Sequence, residues 1–280
     1  MRTQQVQDNL WPLLGTQQGI WFAQQVMPNP EEFNVAHYVE IEGQVDTSVF
    51  RQAVAKGLNT ADSLHCRYVE VEGVIKQQFL AGTALEDVLE VFDFSHLEQP
   101  KNAALEWMEK DLQTAIDIQG NVRRYRHCLI QIGSKQAPKW LWYQRYHHID
   151  VDGFSFNAIS QNITRHYNHM TLGTSEPEGF TPMAKVVAEH GQFIESEQYD
   201  KARYFWKEAG RSLPAPPSLT TGGTDKARFG VVKQHISLRG GDWLHAQGNV
   251  PALERFVEAA GIFKTKTIAQ LGKAWRRGLC

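Results

Sequence analysis

A mixed α/β class, with helices packed against a sheet, is what this sequence predicts, and three observations carry the prediction. Strand-like and helix-like segments alternate from about residue 11 to residue 170. The run Lys139-Trp140-Leu141-Trp142-Tyr143-Gln144-Arg145-Tyr146 is rich in aromatics and has no turn former, which reads as a strand. Shortly after it, Phe156, Ile159, Ile163, Tyr167 and Met170 recur at spacings of three and four, the apolar stripe of a helix. With 280 residues and 42% hydrophobic content, the chain can bury a sizeable core in one or two domains.

The remaining elements follow in order. Thr16 offers a cap to a short helix carrying Ile20, Trp21 and Gln24. Phe33 to Ile41 alternates as a strand does and stops at Glu42-Gly43. Asp46 to Ser48 supplies caps for a helix with Phe50, Val54 and Leu58 on one stripe. Leu64 to Val71 and Val74 to Leu80 flank Glu72-Gly73, a hairpin signal. A helix from about Lys101 to Ile116 shows Leu105, Met108 and Leu112 as its stripe, and Tyr125 to Ile132 reads as a strand. Arg123, Arg124 and Arg126 are expected on a solvated edge of that strand. A linker at Thr171 to Gly179 leads to two helices, Met183 to Ile194 and Tyr199 to Leu213. The second carries Tyr199, Ala202, Trp206, Ala209 and Leu213 in one stripe, and Pro214 to Pro217 ends it.

Composition excludes several classes. A net charge of −2 makes no electrostatic case for nucleic acid or an anionic membrane. Cys66, Cys128 and Cys280 show no disulfide or zinc spacing, so a reducing cytoplasm is expected. The first ten residues hold no apolar signal core, and no run reaches membrane-spanning length.

The chemistry concentrates in Tyr146-His147-His148-Ile149-Asp150-Val151-Asp152-Gly153, on the turn between strand and helix. If the strand period of two persists, His147 and His148 point to opposite faces and do different jobs. One imidazole is then packed inside, while the other meets a cleft and is able to move protons. Gly153 is expected to let the backbone turn tightly, and Asp152 to cap the helix or accept from a buried cation. His147, His148, Asp150 and Asp152 are all metal-ligand types, but adjacent histidines facing apart suit one ion poorly, and no HExxH or CxxC accompanies them.

His147-His148-Ile149-Asp150-Val151-Asp152-Gly153 resembles the HHxxxDG signature of nonribosomal peptide synthetase condensation domains, which share the chloramphenicol-acetyltransferase-like fold. Trp142 to Tyr146 before it and Phe154-Ser155-Phe156 after it resemble the siderophore synthetases of that family. Gln17, Gln18 and Trp21 match the family's first motif, and Leu64 and Arg67 match parts of its second. The resemblance implies amide-forming acyl transfer between thioesters held on the phosphopantetheine arms of acyl- and aminoacyl-carrier domains. The chain itself would bind no cofactor or metal. His148 would position or deprotonate the amine, and His147 would be structural. Asp152 paired with Arg67 would hold the turn, and the Gly153 amide would lie near the developing oxyanion.

The resemblance divides the chain into an N-terminal lobe at 11–173, the incomplete opening of a C-terminal lobe at 180–245, and a non-matching tail at 246–280. That tail carries Lys264, Lys266, Lys273, Arg276 and Arg277. A truncated product with impaired condensation is therefore the expectation. A small-molecule acyltransferase of the same fold and a non-catalytic remnant are the alternatives.

Overall fold

The computed structural model describes residues 10–80, 88–119, 123–211 and 213, all inside the first of two compact units, 1–229 and 230–280. Pro214 to Pro217 and the basic tail lie outside the described residues. The chain begins with β1 (Leu10–Pro12), α1 (Gly15–Val26), β2 (Asn34–Glu42) and α2 (Thr47–Asn59). It continues through the hairpin β3 (Cys66–Val71) and β4 (Val74–Phe79) to β5 (Glu90–Asp93), α3 (Pro100–Leu112) and β6 (Tyr125–Gln131). Then come β7 (Lys139–His147), α4 (Gly153–Leu172), α5 (Met183–Ile194) and α6 (Glu197–Arg211).

The strands form two sheets where the sequence pattern predicts one. A four-stranded mixed sheet has the order β2-β7-β6-β5, with β5 parallel to β6 and the other pairs antiparallel. A three-stranded sheet has the order β1-β4-β3. Its hairpin turns at Glu72 (φ 52°) and Gly73 (φ 76°), the two left-handed residues of a type I′ turn. β1 and β5, of three and four residues, are too short to show a period in sequence.

β7 is an inner strand covered on both faces, so every residue after Lys139 is buried, the polar Gln144, Arg145 and His147 included. Trp140, Trp142 and Tyr146 share a core cluster with Phe50, Val54 and Leu58 of α2 and Ile159 and Ile163 of α4. Leu141 and Tyr143, on the other face, pack with Ala104 and Met108 of α3 and with Cys128 and Ile130 of β6. A third cluster joins Trp21 of α1 to Cys66 and Tyr68 of β3 and to Ile149 of the signature turn.

Helix ends follow the expected chemistry in part. Asp46 caps α2 by accepting from the Ser48 and Val49 amides. Thr16 does not cap α1, which begins one residue before it; instead Gln17 Oε1 accepts from the Leu14 amide at 2.9 Å. α3 stops at Leu112, short of the expected Ile116. Its terminal carbonyls are taken by side chains, with Leu112 and Thr114 accepting from Asn34 Nδ2 and Asp111 accepting from Arg145 Nη1. α6 ends at Arg211, short of the expected Leu213, and its apolar stripe stays open, with Trp206 71% exposed. No helix among the described residues is long and apolar enough to cross a membrane.

α2 and α4 cross at Gly57. A Cβ there would stand 2.4 Å from Ile163 Cγ1 and 3.2 Å from Ile163 Cα. Gly57→Ala is therefore expected to destabilise by about 1–3 kcal/mol through overpacking, although alanine is the better helix former. Denaturant unfolding of the two proteins measures it.

Candidate active site

β7 delivers the two histidines to opposite sides, as its alternation requires. The His147 amide donates to the Arg124 carbonyl (2.9 Å) and the His148 amide to the Phe33 carbonyl (2.8 Å), so the chain leaves the sheet clamped on both flanks. His147 is fully buried, and its Nδ1 accepts from the Ile149 amide (3.1 Å), which leaves the ring proton on Nε2. Burial, aided by the positive charge of Arg124, pushes His147 down to about 3, so the ring stays neutral. His148 is exposed. Its Nδ1 lies 2.9 Å from the Val151 carbonyl, an acceptor only, so Nδ1 carries the proton and the Nε2 lone pair faces outward.

Three consecutive residues bolt the turn down. Ile149 and Val151 are 3% and 5% exposed and enter two different core clusters. Between them Asp150 carries a carboxylate whose side chain has 0% exposure. Arg124 Nε donates to Asp150 Oδ2 (2.7 Å) and Nη2 to Oδ1 (3.1 Å), a two-point fork, and the Tyr68 hydroxyl donates to Oδ1 (2.9 Å). Arg124 Nη2 also donates to the Cys66 carbonyl (2.6 Å), and its guanidinium lies 4.9 Å from the Tyr68 ring centre. Gln17 extends the network: its Nε2 lies 3.4 Å from the Tyr68 hydroxyl and from the Ile149 carbonyl. Burial pushes the Asp150 carboxyl up and Arg124 pulls against it; the fork and the hydroxyl donor are the partners of an ionised carboxylate. Burial first, and Asp150 second, raise Tyr68 well above its ordinary value, so it remains a donor.

Several expectations change here. Arg67 does not meet Asp152: its Nε donates to Gln78 Oε1 (2.7 Å) in the neighbouring strand. Asp152 is exposed and caps α4, accepting from the Ser155 amide (2.8 Å) and hydroxyl (2.7 Å). Those bonds hold its carboxyl below the usual value. Gly153 is not in a left-handed conformation, and a Cβ there would meet nothing within 4 Å. The tight-turn reason for this glycine therefore fails, and the open space above it is what remains. Its amide, at the first position of α4, has no intrahelical acceptor.

The arginines expected at a solvated edge are also largely drawn inward. Arg124 is 3% exposed, and Arg126 pairs with Glu90 and Asp111. The readable signal was a carboxylate at position 150 between two core positions, since a buried charge demands a cation. Period two, carried one residue back from the start of β6, also places Arg124 on the side of Arg126. Among the described residues no group of three His, Cys, Asp or Glu could hold a metal ion.

On the opposite face a second polar chain steadies α4. Trp142 Nε1 donates to His127 Nδ1 (3.3 Å), so His127 Nε2 carries the proton toward Tyr146 Oη (2.8 Å). The Tyr146 hydroxyl donates to Gln144 Oε1 (3.1 Å), and Gln144 Nε2 donates to Ser160 Oγ of α4 (3.0 Å). Burial pushes His127 down to about 3.

An exposed imidazole with its Nδ1 engaged thus lies on the same turn as the start of α4, and that turn bears the HHxxxDG pattern. The condensation-domain family matches residues 7–262. The chain belongs to that family. The match runs past residue 245, where the resemblance in the sequence was expected to end. Vanchrobactin synthetase VabF of Vibrio anguillarum is 46% identical over 244 residues, 87% of this chain and 9% of that protein. Enterobactin synthase component F of Escherichia coli O157:H7 is 38% identical over 210 residues, 75% of this chain and 16% of that protein. The chain therefore spans a small fraction of these curated relatives. Among solved structures, the starter condensation domain of rhizomide synthetase RzmA superposes with a TM-score of 0.66 at 27% identity, covering 74% of this chain and 49% of that one. The fold is thus the chloramphenicol-acetyltransferase-like fold of condensation domains, with this chain matching about half of the solved domain.

Two outcomes test the site. Arg124→Ala leaves a buried carboxylate unpaired and is expected to cost about 3–5 kcal/mol. Arg67→Ala removes one half-buried hydrogen bond, about 1 kcal/mol, and Asp152→Ala removes a cap, about 0.5–2 kcal/mol. Denaturant midpoints rank the three. The second outcome concerns pH. Unfolding restores His127 and His147 to ordinary values near 6.5 from about 3, so the unfolded chain binds more protons between those limits. Stability is then complete above pH 6.5 and falls on acidification, by about 2 kcal/mol for each ring between pH 7 and pH 5. His37 and His166, also lowered by burial, add to the same slope. Unfolding curves at pH 7, 6 and 5 read it.

Proposed function

We propose that this chain carries the signature lobe of a condensation domain that joins two carrier-bound groups in nonribosomal, siderophore-type peptide synthesis. The observation that carries the reading is the exposed His148 with its Nδ1 bound to the Val151 carbonyl and its Nε2 left uncommitted, on an HHxxxDG turn that leads into α4 at Gly153. In the reaction, the amine of a downstream aminoacyl thioester attacks the carbonyl of an upstream acyl thioester. His148 Nε2 accepts a hydrogen bond from that amine and takes its proton as the C–N bond forms. The Gly153 N–H, at the positive end of α4, faces the oxyanion that develops on the carbonyl oxygen. The C–S bond then breaks, and the leaving phosphopantetheine sulfur receives the proton from His148, so amide and free thiol are the products. His147 and Asp152 support the turn and do not touch the reactants, and Arg124 takes the place first expected of Arg67.

Both substrates arrive on carrier domains, and the chain needs no bound cofactor of its own. Cytoplasmic synthesis is the setting this implies. Vanchrobactin and enterobactin synthetases among the relatives support the siderophore reading. Orientation of two thioesters contributes most of the acceleration, because a neutral amine is already a good nucleophile. The described residues supply one wall of the cleft in which the family holds them.

The test places this sequence in VabF, in exchange for its matching segment, and supplies acyl- and aminoacyl-loaded carriers. Amide product is expected by mass, and His148→Ala is expected to slow its formation by about 10²–10⁴-fold. Turnover indifferent to His148→Ala would refute the assignment, and acyl transfer to a free alcohol or amine in preference to the carrier-bound one would favour a small-molecule acyltransferase.

A further inference from the structure

The geometry points to the buried Arg124–Asp150 pair as a positioning pair: it fixes the Val151 carbonyl and thereby holds His148 in the Nδ1–H tautomer, with Nε2 presented outward. What His148 does with that nitrogen rests on the condensation reading; the tautomer itself does not. Arg124 grips the chain on both sides of His148. Its carbonyl accepts from the His147 amide (2.9 Å), and its side chain forks onto Asp150 (2.7 and 3.1 Å). Arg124 is itself held by the Cys66 carbonyl and lies against the Tyr68 ring. The next residue after Asp150 is Val151, whose carbonyl takes the His148 Nδ1 proton (2.9 Å). A displacement of Asp150 therefore moves the acceptor that selects the tautomer.

Stability alone gives little reason for such a pair. Ile149 and Val151 already bury apolar side chains at 3% and 5% exposure, and an apolar residue between them would continue the core. Replacing a buried ion pair with well-packed hydrophobes is often neutral or stabilising, whereas a guanidinium–carboxylate fork fixes direction as well as distance. The arrangement fits a demand for geometry. A ring free to exchange tautomers would present an N–H to the incoming amine in part of the molecules, and an N–H cannot accept its proton.

The experiment uses the 280-residue chain, labelled with ¹⁵N, and reads the histidine ring nitrogens by long-range ¹H–¹⁵N correlation at pH 8. His148→Gln identifies its signals by their loss. The wild-type ring is expected to show one dominant Nδ1–H pattern. In the double variant Arg124→Met with Asp150→Leu, His148 is expected to become a mixture of both tautomers. His127, whose Nε2–H form is set by Trp142 and Tyr146 on the other sheet face, keeps its pattern and reports an intact fold. Tyr68→Phe removes one donor to Asp150 without unpairing a charge and is expected to shift His148 in the same direction to a smaller extent. An unchanged Nδ1–H pattern in the folded double variant overturns the proposal. If the double variant loses the His127 signature, Tyr68→Phe decides: no shift of His148 overturns the proposal, and a shift supports it. Failure of the VabF exchange would sink the condensation reading while leaving this result standing.

Discussion

A carboxylate and a guanidinium removed from water must satisfy each other completely, and the Arg124–Asp150 pair imposes that demand on three parts of the chain at once. Arg124 immediately precedes β6, Asp150 belongs to the signature turn, and the groups that complete the network, Cys66 and Tyr68, belong to the separate hairpin sheet. The pair therefore sits on the seam between the two sheets and links them by directional bonds. Apolar packing of Trp21, Tyr68 and Ile149 closes the same seam without specifying its register. The mutual alignment of hairpin, sheet and turn thus rests on charge geometry, while most of the burial energy comes from the core on either side.

The same logic recurs at Asp111, the buried carboxylate at the end of α3. It meets Arg126 of β6, Arg145 of β7 and the Tyr143 hydroxyl, which ties the helix to the sheet face below it. On the other face the link to α4 is uncharged, running through His127, Tyr146, Gln144 and Ser160. α3 and α4 are thereby each held at a definite register by polar bonds inside an apolar interface. For α4 this fixes the helix end that Asp152 caps, directly after the signature turn.

The division of labour between the histidines follows from strand geometry. Facing inward costs His147 its charge and makes it a fixed acceptor for the turn; facing outward leaves His148 one committed nitrogen and one free. The residues named xxx in HHxxxDG are, in this chain, the anchors that make the difference permanent.

By itself the sequence determined what local periodicity and covalent order control. The strands β2, β6 and β7, the hairpin, the helices α2 and α4, the family signature and the opposite facing of His147 and His148 were all legible, because each depends on neighbours within a few residues. Tertiary structure alone decided which charges meet. Asp152 and Arg67 were the natural partners by motif, yet Asp152 turned to Ser155 and Arg67 to Gln78, while Asp150 found Arg124 twenty-six positions away. It also decided that the strands form two sheets, that β1 and β5 join them, that Arg124 is buried, and that Arg126 pairs with Glu90 and Asp111. The physical reason is common to all of these. Periodicity says which face a side chain lies on, but a buried ion pair is selected by the register between distant elements and by the cost of leaving any charge alone.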